Sequence, residues 1–263
     1  MRLPDIFYFS ATTTIARYVL IEAARNRLLA LLIIVLLAVF GLGEFIGGLS
    51  VTETAQVQGS MVAFISRMAA VFIVSLFVVT GVVREFNDKS VEMILALPVP
   101  RHVYYTGKLC GYLVLAMIIA GMAGMPLLLY ADAGQVLLWS ISLFCELSII
   151  VALCLFFLFT LGQVTPALSA VAAFYLLARS MGSMQLLSHS PIMDTGTWSQ
   201  GIIRALLDII AGLLPDLDAY TQTAWLVYGS GGARDLAPVA VQTLIYVCLL
   251  AAAALFDLYR RNF

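Results

Sequence analysis

The run LLALLIIVLLAVFGLGEFIG, Leu28–Gly47, has one charged side chain, Glu44, among its 20 residues. As a helix it would be about 30 Å long, which matches the thickness of a hydrocarbon core. Five further apolar runs follow at 68–83, 109–131, 136–161, 166–187 and 236–257. They are continuous and do not alternate strictly, which favours helices over a β-barrel. The sequence therefore predicts an all-α membrane protein with six transmembrane helices, forming one transmembrane domain over residues 1–263.

The composition points to the same class of protein. Hydrophobic residues make up 62% of the chain and charged residues 11%, whereas a soluble domain carries about 25% charged residues. The net charge of -1 provides no field for binding nucleic acid. The cysteines lie in or beside apolar runs without a CxxC pair, which predicts small buried hydrophobes and no resident metal or cofactor. They are Cys110, Cys145, Cys154 and Cys248.

The basic residues near the predicted helix ends lie mostly on one side of the membrane. That side carries Arg2, Arg17, Arg25, Arg27, Arg84, Lys89, Arg101, Lys108, Arg260 and Arg261. The opposite side carries Arg204 and Arg234, so the positive-inside rule predicts that both termini and the loop after Arg84 are cytoplasmic. The first apolar run has no small-x-small cleavage site, so we expect no cleavable signal.

Two amphipathic segments lie outside the six runs. In segment 8–27, Ile15, Val19 and Ala23 share an arc, which predicts an interfacial helix; an extension of the first transmembrane helix is the alternative. Between the fifth and sixth runs, 201–214 is too short to span the membrane and ends at Pro215. It predicts short outer helices, either half-inserted or packed on the bundle.

The charged segment after Arg84 predicts a short helix over 87–97. Asn87, Asp88 or Ser90 caps its start, and prolines at 98 and 100 end it. Its apolar stripe contains Val91, Ile94 and Leu95. A helix this short is marginal in water. It must therefore pack on its own bundle, on lipid headgroups or in a groove on another protein.

This segment resembles the cytoplasmic loop of ABC-2 type permeases, the membrane subunits of a large group of ABC exporters. The resemblance lies in Arg84-Glu85, in Glu92-Met93-Ile94-Leu95-Ala96-Leu97-Pro98-Val99-Pro100-Arg101 and in Gly107-Lys108-Leu109-Cys110-Gly111. The chain departs from the family pattern at Lys89-Ser90-Val91, where Gly-Thr-Leu is usual, and at Pro100, where Ser is usual. The Leu214-Pro215-Asp216-Leu217 motif also resembles the subgroup that includes the copper-maturation permease of nitrous-oxide reductase.

The resemblance implies a homodimeric exporter in the bacterial cytoplasmic (inner) membrane that works by alternating access. It implies that 87–97 is a coupling helix that fits a cleft on a separate ABC ATPase subunit. The residues implied in that contact are Arg84, Glu85, Asp88, Glu92, Ile94, Leu95 and Arg101.

Nucleotide chemistry is expected in the partner chain. A P-loop requires G-x-x-x-x-G-K-[ST]. In this sequence Gly107-Lys108 is preceded five positions earlier by His102 and followed by Leu109. The chain is therefore not expected to bind ATP by this motif. The resemblance implies a transport subunit and not an enzyme, with ATP and Mg²⁺ bound by the ATPase.

Charges inside the apolar runs are candidates for a transport pathway. Glu146 and Arg179 either pair across adjacent helices or line the path, because an isolated charge there is costly. Glu44 and Arg67 lie near run ends. The methionines favour core filling over Cu(I) binding; they are Met117, Met122, Met125, Met181 and Met184.

Two other functions stay open at this stage. An intramembrane enzyme would draw on Ser183, His189, Asp208, Asp216 and Asp218, which form no recognised catalytic spacing. An ion-coupled secondary carrier would show matched internal repeats or interrupted helices.

Overall fold

A computed structural model describes residues 5–47, 54–88, 100–188 and 198–260. Within these ranges every regular element is helical. The α-helices are α1 (Asp5–Arg25), α2 (Leu28–Gly47), α3 (Thr54–Asn87), α4 (Arg101–Gly124), α5 (Ala133–Leu161), α6 (Val164–Ser188), α7 (Trp198–Leu213), α8 (Thr223–Tyr228) and α9 (Ala233–Arg260). Short 3₁₀ helices cover Met125–Leu129 and Leu217–Ala219. The predicted all-α class is confirmed.

The apolar helices are those of a multi-pass membrane protein. Five in the described ranges are long and apolar enough to cross a membrane: α3, α4 with the 3₁₀ helix after it, α5, α6 and α9. A sixth is reached only if α1 and α2, which meet at a bend of 56°, together form one span. The finer six-span layout therefore stays a prediction.

Two helices begin well before their predicted runs. α3 begins at Thr54, well before position 68, and α4 begins at Arg101, before position 109. The polar side chains Gln58, Arg67 and Lys108 lower the local hydropathy there, yet all three are buried in the structure. Internal partners let these helices continue where a hydropathy profile ends.

Helix α5 forms the centre of the bundle. It packs against α3, α4, α6 and α9, and its buried side chains lie all round its axis. The Asp132 side chain accepts a hydrogen bond from the Gly134 amide at 2.9 Å and caps its start. Gly162, at φ 73°, ends it in the left-handed conformation that favours glycine.

The contact between α1 and α4 depends on two glycines one turn apart. A Cβ atom at Gly107 would lie 2.8 Å from Cβ of Ile15, and one at Gly111 would lie 2.9 Å from Cβ of Val19. The order of these contacts makes the two helices parallel. The predicted apolar arc of α1 therefore packs on α4, and Gly107 and Gly111 permit the close approach of the two helices.

The cysteine prediction is only partly correct. Cys145 and Cys154 are buried in α5, as expected, and all four thiols are free. Cys110 and Cys248 are exposed, because they lie on faces of α4 and α9 that point away from the bundle.

Helix α7 contacts α6 and turns part of its apolar surface outward. Leu207 packs on the core, whereas Leu206, Ile209 and Leu213 are exposed.

Candidate functional site

The two ends of the bundle each carry a polar cluster. We call the end where α3 stops and α4 starts the α3–α4 end. The opposite end, where α4 stops and α5 starts, is the α4–α5 end.

At the α3–α4 end, Glu85 ties the last turns of α3 to the first turns of α4. Its Oε2 accepts a hydrogen bond from the Tyr104 hydroxyl at 2.9 Å, and its Oε1 forms an ion pair with Nζ of Lys108. Lys108 is 3% exposed and also lies 5.8 Å from the ring centroid of Tyr112. Because the partners of Glu85 and Lys108 are inside the chain, these helix ends form one bonded unit.

Arg84 connects the same end of α3 to α1. Its Nη2 pairs with Oε1 of Glu22, while over half of the Arg84 side chain remains exposed. Such an exposed pair contributes about 0–1 kcal/mol. It is therefore a weak link between α1 and α3.

A cavity of about 730 Å³ opens between α1, α3 and α4 beside these pairs. Tyr18 and Ile21 form an apolar part of its wall, and Tyr104 and Lys108 lie at its base. Asp88, one turn beyond Arg84, is exposed on its rim.

Arg101 faces α9. Its Nη1 donates to the carbonyl oxygens of Leu258 at 2.7 Å and Tyr259 at 3.3 Å, in the last turn of α9. His102 Nδ1 lies 3.4 Å from the Tyr259 hydroxyl. A cation that binds the free carbonyls of a helix C-terminus also interacts favourably with the helix dipole. Arg101 thus links the end of the 88–100 segment to α9.

Replacing Arg101 with alanine is expected to lower the free energy of unfolding by about 1–2 kcal/mol, because the last carbonyls of α9 lose a charged donor. Equilibrium unfolding of the purified protein in mixed micelles measures this loss. Arg260→Ala is the matched control, since Arg260 is exposed and stacks on Phe256 of its own helix. Equal effects of the two substitutions would contradict the proposed cap.

The remaining predicted coupling residues, Glu92, Ile94 and Leu95, lie outside the described residues. The predicted helix over 87–97 lies outside them beyond Asp88.

At the α4–α5 end, Glu146 of α5 is fully buried in a polar cluster. Its Oε1 accepts a hydrogen bond from the Tyr175 hydroxyl at 3.0 Å, and its Oε2 accepts one from the Thr221 hydroxyl at 2.9 Å. Nη1 of Arg179 lies 4.0 Å from Oε1. The structure thus brings together the two membrane charges, Glu146 and Arg179, that the sequence placed on neighbouring helices.

A second arginine completes this cluster. Arg67 of α3 is 5% exposed and donates through Nη1 to the Thr221 hydroxyl at 3.3 Å. Nε of Arg179 lies 4.0 Å from Oδ1 of Asp218, which is half exposed. Two arginines therefore lie among two carboxylates, Glu146 and Asp218, which balances the charge where an isolated ion would be costly.

The segment after α7 is fastened to this cluster by its backbone. Arg179 donates to the carbonyls of Leu217 and, at 3.1 Å, of Tyr220. The Thr221 amide donates to Oγ of Ser142 at 2.9 Å. Thr221 has φ 47°, a costly conformation for a β-branched residue that these contacts hold in place. The cluster therefore fastens the segment after α7 to α3, α5 and α6.

Tyr220 fixes the same segment to α9. Its hydroxyl lies 3.1 Å from the carbonyl oxygen of Val239, to which it donates. Burial raises the pKa of Tyr220 to about 12, so the hydroxyl stays protonated and keeps donating at neutral pH.

Sequence reasoning missed four members of this cluster: Ser142, Tyr175 and Thr221, and Arg67 as a partner. A four-residue spacing gives a signal for two of them. Ser142 stands four residues before Glu146, and Tyr175 stands four before Arg179, so each pair shares a helix face.

Of the residues of the enzyme alternative, Asp208 is exposed on α7. Ser183 and Asp216 are exposed, Asp218 lies beside Arg179, and His189 falls outside the described residues. Among the described residues, no three or more His, Cys, Asp and Glu side chains are placed to hold a metal ion.

The methionine prediction is partly wrong. Met181 is buried and Met122 packs against the core. Met117, Met125 and Met184 are exposed, because their positions on α4, the following 3₁₀ helix and α6 face away from the bundle.

Comparison with known proteins leaves the family open. No protein-family model matches the chain, and no curated protein matches it in sequence.

Proposed function

We propose that this chain is the membrane subunit of an ATP-driven exporter of the ABC-2 type. It works as a homodimer with a separate ABC ATPase on the cytoplasmic side, and the α3–α4 end is that side. The observation that supports this is the bonding of α3 to α4 through Glu85, Tyr104 and Lys108, directly beside the 88–100 segment.

This bonding suits a mechanical role for the segment. Segment 88–100 is joined to α3 at Asp88 and to α4 at Arg101, so a displacement of the segment moves both helices. The Glu85 contacts make the two helices move together. The Arg101 contacts carry the movement to the end of α9. Rigid-body movement of packed helices is a common means of switching between two states.

In this proposal α2 is the first of six transmembrane helices, and α1 enters from the cytoplasmic side along the first half of α4. Ten of the chain's Lys and Arg residues then fall on the cytoplasmic side, which agrees with the positive-inside rule. The segments of α7 and α8 lie outside, where the cluster around Glu146 closes the bundle over the substrate path.

The proposal is tested by purifying the tagged chain from its own host and identifying the polypeptides that stay bound. We expect a P-loop ATPase in equal amount to this chain. Charge reversal at Glu92→Arg, or the pair Ile94→Asp and Leu95→Asp, is expected to abolish its retention, because each change alters the predicted coupling helix.

The matched control is Asp216→Arg, a charge reversal at an exposed position of the α4–α5 end, which is expected to leave retention unchanged. An ATPase that is retained after deletion of 89–99 would contradict the assigned contact. A chain that transports substrate in purified vesicles without any ATPase would contradict the exporter.

A further inference from the structure

The cavity between α1, α3 and α4 has an unusual charge pattern. Three cations and three acids line it: Arg25, Arg84, Lys108, Glu22, Glu85 and Asp88. Four of them form two internal pairs, Arg84 with Glu22 and Lys108 with Glu85. In the part of the chain that the structure describes, the side chains of Arg25 and Asp88 have neither an ion pair nor a hydrogen bond. One positive and one negative charge therefore remain for a ligand.

These two charges are ordered along the bundle. Glu22 pairs with Arg84, so we take this pair as the reference position along the bundle. Arg25 lies three residues further along α1, toward the middle of the bundle, since α1 runs in the same direction as α4. Asp88 lies one turn beyond Arg84, about 6 Å nearer the end of the bundle. The free cation is thus the inner charge and the free acid the outer one.

Apolar side chains line the α1 wall of the cavity between the levels of Arg25 and Asp88. Tyr18 is 67% exposed and Ile21 is 42% exposed, both on the α1 wall. At the base, Tyr104 is fully buried and Lys108 is nearly so. A polar base with an open apolar wall fits an amphipathic ligand better than a soluble ion.

We propose that this cavity binds the headgroup of a phospholipid that carries a primary ammonium group, in the leaflet around the α3–α4 end. The phosphate, which is attached on the acyl-chain side, lies at Arg25, and the terminal ammonium donates hydrogen bonds to Asp88. The two carbons between phosphate and ammonium lie against Tyr18 and Ile21, and the acyl chains continue inward from Arg25. The bound lipid holds α1 against α3 and α4, where the exposed Arg84–Glu22 pair contributes little.

The charge pattern separates this ligand from other lipids. Phosphatidylglycerol has no cation for Asp88 and adds a negative charge beside three acids. Phosphatidylcholine has a cation without an N–H group, so it cannot donate to the Asp88 carboxylate. The ammonium headgroup matches both free charges.

Native mass spectrometry of the delipidated full chain in detergent tests this, with phosphatidylethanolamine, phosphatidylcholine or phosphatidylglycerol added at equal concentration. We expect phosphatidylethanolamine to bind about tenfold more tightly than either other lipid, as one added charge-assisted hydrogen bond would give. The exposed pair Arg25→Gln with Asp88→Asn is expected to abolish this preference without unfolding the chain.

The matched control is Arg234→Gln with Asp216→Asn, the same change of charge at exposed positions of the α4–α5 end, which is expected to keep the preference. Soluble phosphoethanolamine at the same concentration is expected not to displace the lipid, because it lacks acyl chains. Equal binding of the three lipids, a preference that survives in the Arg25 and Asp88 variant, or displacement by the soluble headgroup would each overturn the proposal. The experiment needs no ATPase, so its outcome is independent of the proposed export function.

Discussion

Replacing Glu146 with alanine is expected to lower the free energy of unfolding by about 3–5 kcal/mol. The substitution leaves the buried Arg67 and the partly buried Arg179 without the carboxylate of Glu146. It also removes the acceptor of the Tyr175 and Thr221 hydroxyls. Removing one partner of a buried ionic cluster costs more than the cluster itself contributes, because the remaining charges stay desolvated.

Equilibrium unfolding in mixed micelles measures this effect, with thermal aggregation as a second readout. Glu146→Gln is expected to fall between alanine and the native chain, since the amide still accepts hydrogen bonds but lacks the charge. Glu44→Ala is the control: Glu44 is exposed at the same end and accepts a hydrogen bond from Tyr130 at 2.6 Å, so we expect a loss below about 1 kcal/mol. Equal losses at the two glutamates would show that the buried cluster is not an ionic anchor.

Replacing Gly111 with leucine is expected to destabilise the chain by about 2–3 kcal/mol and to loosen α1 from α4. A Cβ atom at position 111 would already lie 2.9 Å from Cβ of Val19 and 3.0 Å from Cα of Ala16. The backbone of α1 cannot yield as the end of a flexible side chain would, so the two helices must separate. Unfolding in mixed micelles, and the rate of proteolysis within α1, measure the two effects.

Gly121→Leu provides a matched control on the same helix. A Cβ atom at Gly121 meets nothing within 4 Å, and leucine is a better helix former than glycine at both positions. We therefore expect Gly121→Leu to be neutral or slightly stabilising. A protein that tolerates leucine equally at 111 and 121 would rule out close packing of α1 on α4.

The helices were predictable because apolar length is a strong signal. Run 28–47 matches α2 in both bounds, since no buried polar side chain interrupts it. The start of α3 was not predictable from hydropathy, because Arg67 is charged in the sequence and becomes buried only through Thr221, 154 residues away along the chain. The sequence around a polar residue does not identify a hydrogen-bond partner that lies far away along the chain.

The charged residues of the cluster around Glu146 were predictable from the sequence. The hydrogen bonds that join them were not. Glu146 and Arg179 stand out as ions in apolar runs, but Thr221, which joins Glu146 to Arg67, lies in an outer segment with no periodic pattern. Arg101 shows the same limit at the other end. Its position suggests a contact with a partner, whereas its guanidinium binds the end of α9 inside the chain.

Because α1 packs on α4, it can reach its final position only after α4 has been synthesised. Gly107 and Gly111 are synthesised about 90 residues after Ile15 and Val19, which at usual translation rates is on the order of 5–20 s. During that delay the apolar arc of α1 has no helix to cover it, and lipid or an insertion factor must shield it. The N-terminal helix is therefore made early and docks late, and a nascent chain stalled before α4 exposes this arc to proteolysis and quality control.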